Sequence, residues 1–125
     1  MAARGSSRRP EQIAEAIRVV VATALAEGEV RDPRVGLMTV SSVEVTRDLQ
    51  VATIRVVPHG EDPEQLDAAV AGLVSAAGYL RRKVAQQLST RIVPELRFVR
   101  DVGMEHARRI NEILAGLHQN EEDPS

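Results

Sequence analysis

The spacing between apolar residues switches repeatedly along this chain, and those switches limit the architectures open to it. From Pro10 to Gly28 apolar side chains recur at helical intervals: Ile13, Ala16 or Ile17, Val20, Val21, Ala24 and Leu25. Pro10 and Glu11 suit a first turn, and Gly28 suits a C-terminal stop. "RDPRVG", residues 31–36, is a loop. The period then shortens to two in a run rich in β-branched residues. That run predicts two antiparallel strands, about Leu37–Arg47 and Gln50–Val57, joined by a tight turn near Asp48. The doublet Ser41-Ser42 interrupts the alternation and marks a bulge.

Helical spacing returns after "PHGEDPEQ", where Asp62, Pro63 and Gln65 form a start of the capping-box kind. Leu66, Ala69, Val70, Leu73 and Val74 make one stripe. Leu80, Val84 and Leu88 make a second, beyond Gly78. "STRIVPELRFVRD" reads as a strand with Ile92, Leu96 and Phe98 at its apolar positions. Pro94 confines it to an edge, or to that strand's first residues. Met104, Ala107, Ile110, Leu114 and Leu117 outline a short amphipathic helix. The order is helix, strand, strand, helix, helix, strand, helix. It predicts an α+β fold with helices packed on one face of a three-stranded sheet.

At 125 residues the chain suits one domain. Such a domain buries roughly two-thirds of its unfolded surface and needs no covalent staple. The expected layout is a flexible basic arm over 1–9 (with Arg4, Arg8 and Arg9), a domain over 10–118 and a disordered acidic tail over 119–125. The absence of cysteine excludes disulfides and cysteine-held zinc or iron–sulfur sites. The N-terminus lacks the apolar stretch of a signal peptide. No apolar run approaches the ~18 residues that span a bilayer. A cytoplasmic protein with no membrane contact is expected.

Catalytic chemistry finds no support. His59, His106 and His118 have no second ligand at metal-site spacing, so neither a metal nor another cofactor is expected. Neither a Gly-rich phosphate loop followed by Lys nor a Gly-x-Ser-x-Gly elbow is present. Asp48 and Asp101 flank strands, where aspartate ordinarily builds turns. Tyr79 and Phe98 are the only aromatics, too few for a base-stacking platform.

One segment resists a purely structural reading. In "SAAGYLRRKV", residues 75–84, Gly78 interrupts a helical pattern, at about 1 kcal/mol relative to alanine. Ala76, Ala77 and Gly78 permit a sharp change of direction. The corner is either a plain packing turn or a way to present the next helix's N-terminus, whose free N–H groups attract phosphate. Arg81, Arg82 and Lys83 follow within a turn. Lys83 is the only lysine among 16 cations. Arginine favours bidentate phosphate contacts, although a genome-wide arginine preference gives the same composition. The formal net charge is −2, so any basic surface must be local.

The segments "VRDPRVGLMTVSSVEVTRDLQVATIRV", "AAGYLRRKVAQQL" and "RIVPELRFVRD", in this order and spacing, resemble the ribosome-binding factor A family of bacterial small-subunit assembly factors. The resemblance runs from about Arg9 to Leu117. It implies a type II KH-like fold, α-β-β-α-α-β plus a C-terminal helix. An Ala-x-Gly kink, matched by Ala76-Ala77-Gly78, would replace the usual Gly-x-x-Gly clamp. It further implies binding to free 30S subunits and support of late 16S rRNA processing, 30S maturation and growth in the cold. Neither cofactor nor catalytic residue is implied, and release by an assembly GTPase is. RNA contact would fall to Arg81, Arg82 and Lys83, with Arg8, Arg9, Arg47, Arg91 and Arg100 as secondary candidates. For each secondary candidate a solvated surface charge is the alternative. A monomer is expected, with homodimerisation through Ala-rich helices left open. The acidic balance keeps a second function in play, a KH-like protein–protein module without direct RNA contact.

Overall fold

Helix α1, Pro10–Ala26, starts with proline in its first turn, where the missing N–H costs nothing. It stops at Gly28, whose φ of +68° turns the chain back. In this computed structural model residues 9–60, 62–88 and 92–122 are described. The arm through Arg8 and the tail residues 123–125 lie outside that set, as does Arg91. Ile13, Ile17, Val21 and Ala24 make the buried stripe of α1.

Strands β1 (Met38–Val45) and β2 (Val51–Pro58) pair antiparallel. The register shifts between Val40 and Ser42, which places the bulge at Ser41. Asp48 builds the intervening turn as expected. It accepts from the Thr46 hydroxyl at 2.7 Å and from the Gln50 N–H at 3.2 Å, while Leu49 takes a φ of +62°. Those donors, the Thr46 hydroxyl first, hold the Asp48 carboxyl below its ordinary value.

Strand β3 (Glu95–Arg100) pairs parallel to β2, so the sheet is mixed, in the order β1-β2-β3. A parallel neighbour requires a crossover. Helices α2 (Pro63–Ser75) and α3 (Ala77–Leu88) supply it. Asp62 caps α2 by accepting from the Glu64 N–H at 3.0 Å; the reciprocal Gln65 bond of a capping box is not among the bonds of the described residues. Pro94 is buried just before β3, on the edge strand that its missing N–H requires. The core joins Ile17 and Val21 of α1, Ile54 and Val56 of β2, Leu73 of α2, Leu80, Val84 and Leu88 of α3, and Leu96 and Phe98 of β3.

Six apolar residues lie elsewhere than their spacing suggests. Val74 is 57% exposed, because α2 buries Leu66, Ala69, Gly72 and Leu73 and Val74 falls past that arc. Ile92 is 45% exposed, because pairing begins only at Glu95. Met104, Ile110, Leu114 and Leu117, on the last helix, are each at least half exposed. That helix, α4 (Val102–Glu122), is 21 residues long rather than short, and it does not join the other three on their face of the sheet. It stands over the opposite face across a cleft of about 690 Å³ lined by Thr39, Ser41, Val57, Met104 and Ala107. Its first turn is nonetheless fixed. The Asp101 carboxylate accepts from the Met104 N–H at 3.0 Å and from the Ser41 hydroxyl at 2.6 Å. The bulge thus supplies the hydroxyl that steadies the cap of α4. Among the described residues, no helix is long and apolar enough to cross a membrane.

Gly72 is the tightest point of the packing. A Cβ there would lie 2.6 Å from Val35 Cγ2 and 3.3 Å from Asp32 Cγ. At Gly78 a Cβ would meet only the Arg82 guanidinium, at an ordinary 3.7 Å. Gly72→Ala should therefore lower stability by about 1–2 kcal/mol in urea unfolding, since overpacking outweighs the helix gain. Gly78→Ala should be neutral or stabilising by up to about 1 kcal/mol. Equal effects at the two sites would contradict this packing.

Candidate nucleic-acid interface

The interhelical break falls on Ala76. Its backbone (φ −91°, ψ 1°) leaves the helix while its N–H still reaches Gly72 O at 3.2 Å and Leu73 O at 3.0 Å. Helix α3 restarts at Ala77, and Leu80 N–H bonds Ala76 O at 3.0 Å. Gly78 already lies in the first turn of α3, and its φ is not positive. Neither backbone strain nor crowding within the chain demands glycine there. What the missing side chain leaves is open surface beside a helix N-terminus, where another molecule's backbone can come close.

The three clustered cations divide by role. Arg81 donates to Val93 O at 2.7 Å and Pro94 O at 3.3 Å, so its guanidinium ties α3 to the entry of β3. Arg82 is exposed and has no side-chain partner among the described residues. Lys83 is ion-paired to Glu29, which also accepts from the Tyr79 hydroxyl at 2.8 Å. The ammonium lies 5.8 Å from the Tyr79 ring centre. The Lys83 hydrogen bond is the chief cause that holds the Glu29 carboxyl below its usual range, and Glu29 in turn raises Lys83. This trio fastens α3 to the chain leaving α1.

The secondary candidates are scattered. Arg100 reaches Glu105 at 2.9 and 2.6 Å and Asp67 at 2.9 Å, so two carboxylates match its charge. Those hydrogen bonds, to Glu105 first, raise its pKa. Arg9 occupies the N-cap position of α1 without a side-chain cap bond, and Arg47 stands on the hairpin turn; both are exposed. Arg8 and Arg91 lie outside the described residues.

One residue that the pattern of the sequence did not single out joins the corner. Arg31 is exposed, has no side-chain partner among the described residues, and borders a cleft of about 510 Å³. Glu29, Asp32, Ser75, Ala76 and Tyr79 line the same cleft. Arg31 and Ala76 thus line one cleft, and the Arg82 guanidinium lies beside Gly78. The loop that carries Arg31 is stapled in place. Asp32 holds Arg34 through two hydrogen bonds at 2.9 and 2.6 Å, and Arg34 reaches the Ser75 hydroxyl at 3.2 Å. Arg34, by side chain and then by backbone N–H, lowers the Asp32 carboxyl to about 2. No sequence period connects residue 31 with residue 76, which line one cleft only because the loop packs on Gly72.

Two guanidinium groups without partners among the described residues, beside a helix N-terminus, are bidentate donors of the kind that suit phosphate, with little scope for base stacking. Among the described residues, no group of three or more His, Asp or Glu is placed to hold a metal.

Residues 9–114 match the family described as Ribosome-binding factor A. A ribosome-binding factor A from Rhodopirellula baltica is 46% identical over 117 residues, covering 94% of this chain and 84% of the relative. One from Desulforamulus reducens is 39% identical over 119 residues, covering 95% and 98%. The crystal structure of ribosome-binding factor A from Thermus thermophilus shares the fold, with a TM-score of 0.62 at 24% identity over 74% of this chain and 97% of that one. Coordinates of the Thermus thermophilus factor fitted into a cryo-EM map of a 30S complex match with a TM-score of 0.51 at 28% identity, over 67% and 90%.

Arg81→Ala should cost about 1–2 kcal/mol in thermal or urea unfolding, through two orphaned carbonyl contacts. Arg82→Ala should change stability by less than about 0.5 kcal/mol. Acid should loosen the stapled loop first. Asp32 and Glu29 are depressed in the folded state, so their stabilisation is full above their ordinary values of 3.8 and 4.5 and is lost as pH falls below them, for Asp32 toward about 2. Unfolding midpoints measured from pH 5 to pH 2 should fall less steeply in Asp32→Asn than in the wild type.

Proposed function

We propose that this chain, which belongs to the ribosome-binding factor A family, binds the free 30S ribosomal subunit through phosphates of its 16S rRNA and assists late rRNA processing and subunit maturation. The observation that carries this reading is the corner at Ala76–Gly78, flanked by the two unmatched guanidinium groups of Arg31 and Arg82. The Thermus factor fitted into a 30S complex, alike in fold, supports the choice of partner.

The net charge of −2 does not oppose it. Arg18, Arg34, Arg55, Arg97, Arg100 and Arg108 are each paired with carboxylates of the chain itself, and Lys83 with Glu29. Local potential at the corner, not the sum over the molecule, meets an approaching phosphate. The N–H groups at the start of α3 and the Arg82 fork bind one stretch of backbone, and Arg31 binds its neighbour. Contacts of this kind set position rather than read sequence, so rRNA shape selects the site. One copy acts on each subunit, in the cytoplasm, and holds an immature rRNA conformation. It leaves when the subunit matures, with an assembly GTPase acting on the same particle.

Co-sedimentation with free 30S subunits across a salt series tests this. Arg31→Glu with Arg82→Glu should weaken binding at least tenfold and flatten the slope of log affinity against log salt by about 1.4–1.8, the value for two phosphates. Pelleting of the double variant at wild-type strength would overturn the proposal and favour a protein-contact module of the same fold.

A further inference from the structure

Tyr79 is the one tyrosine of the chain, and helix α3 holds it in the lining of the cleft of about 510 Å³ beside the kink. That volume falls in the range of small-ligand sites. The residue is 39% exposed, although an aromatic ring has much apolar area to bury. The ring is nonetheless fixed. Its hydroxyl donates to Glu29 Oε1 at 2.8 Å, and the Lys83 ammonium stands 5.8 Å from its centre. A ring clamped in this way loses little freedom when another flat group stacks on it. Val30 and Ala76 add apolar surface to the same cleft.

The carboxylate that clamps the ring is only half used. Tyr79 and Lys83 both donate to Oε1 of Glu29, and Oε2 has no donor among the described residues. The same two donors, Lys83 first, keep Glu29 ionised and therefore purely an acceptor. Asp32, in the same cleft, spends both its oxygens on Arg34.

We infer that this cleft takes one unpaired base of the bound RNA, a guanine, stacked on Tyr79 with its Watson–Crick edge against Glu29. The inference rests on the rRNA reading above and names what the corner selects. Arg31, in the lining of the same cleft, and the first turn of α3 hold phosphates of the strand that carries the base. An acceptor-only group chooses among bases by what lies next to the donor it meets. Guanine presents two neighbouring donors, its ring N–H and its exocyclic amino group. Adenine and cytosine set an amino donor beside a bare ring nitrogen, and uracil sets its one N–H between two carbonyl oxygens. In those three bases a lone pair would face the negative charge of Glu29. A purine also covers more of the ring than a pyrimidine does. One ring serves one base, so the scarcity of aromatics limits the site to a single nucleotide.

Because the chain has a single tyrosine, a ring-fluorinated tyrosine gives the whole protein one fluorine NMR signal, and that signal sits in the cleft. The labelled full chain is titrated with four five-nucleotide RNAs, each with uridines flanking a central G, A, C or U. The G strand should shift the signal saturably and bind at least about fivefold tighter than each of the others. Glu29→Gln should keep the shift and lose most of that preference, because an amide offers a donor as well as an acceptor. Urea unfolding of this variant separates lost selection from lost folding. Equal affinities for the four strands in the wild type would overturn the assignment of guanine. A signal that no strand moves would overturn the base site, whatever the variant does. Co-sedimentation of the same preparation with free 30S subunits tells the two failures apart. Pelleting with a silent signal overturns the base site alone, and no pelleting overturns the 30S reading on which it rests.

Discussion

The parallel pairing of β3 with β2 is the constraint from which the rest follows. Two parallel neighbours cannot be joined by a hairpin, so the chain must cross the sheet and return. It does so with two helices that both have to bury a stripe on the same sheet face as α1. One straight helix would run past the sheet. The break at Ala76 folds the crossover back, and the same break exposes the first turn of α3. The geometry that closes the core therefore also makes the corner for which phosphate binding is proposed.

Charge is arranged around that corner by pairing rather than by number. Most arginines of the described chain are engaged by nearby carboxylates or, for Arg81, by the Val93 and Pro94 carbonyls. Exposed pairs of this kind add little stability. Arg31 and Arg82 stay unmatched near the kink, as Arg9, Arg47 and Arg109 do elsewhere among the described residues. The staples from Glu29 to Lys83 and Tyr79, and from Asp32 to Arg34, also limit how far the two flanks can move apart. A net acidic chain can in this way present a locally basic contact.

Much of this was legible in the sequence. The period switch gave the order of the elements, the Ser41-Ser42 interruption placed the bulge, and the turn role of Asp48 followed from its position, whereas Asp101, read as a turn residue, instead caps α4. Less legible was anything that depends on a long-range contact. Gly72 reads as a routine helical glycine until Val35 is packed against it. Arg31 reads as loop filler until that same packing brings it beside Ala76. Gly78 drew attention as a helix breaker, yet the turn is made two residues earlier, because alanine at position 76 can leave the helix without a positive φ. The apolar stripe of α4 was visible, but periodicity reports that a face is apolar and not what covers it.

The central claim is that the Ala76–Gly78 corner lies against rRNA, and the chain's lack of cysteine offers a direct measurement. A Gly78→Cys variant has a single thiol, to which an iron chelate can be attached for hydroxyl-radical cleavage within free 30S subunits. The account predicts strong, localised cuts in 16S rRNA from that position and weaker ones from Glu64→Cys, at the other end of α2. Strong cuts from position 64 and none from position 78, with both proteins bound, would contradict it.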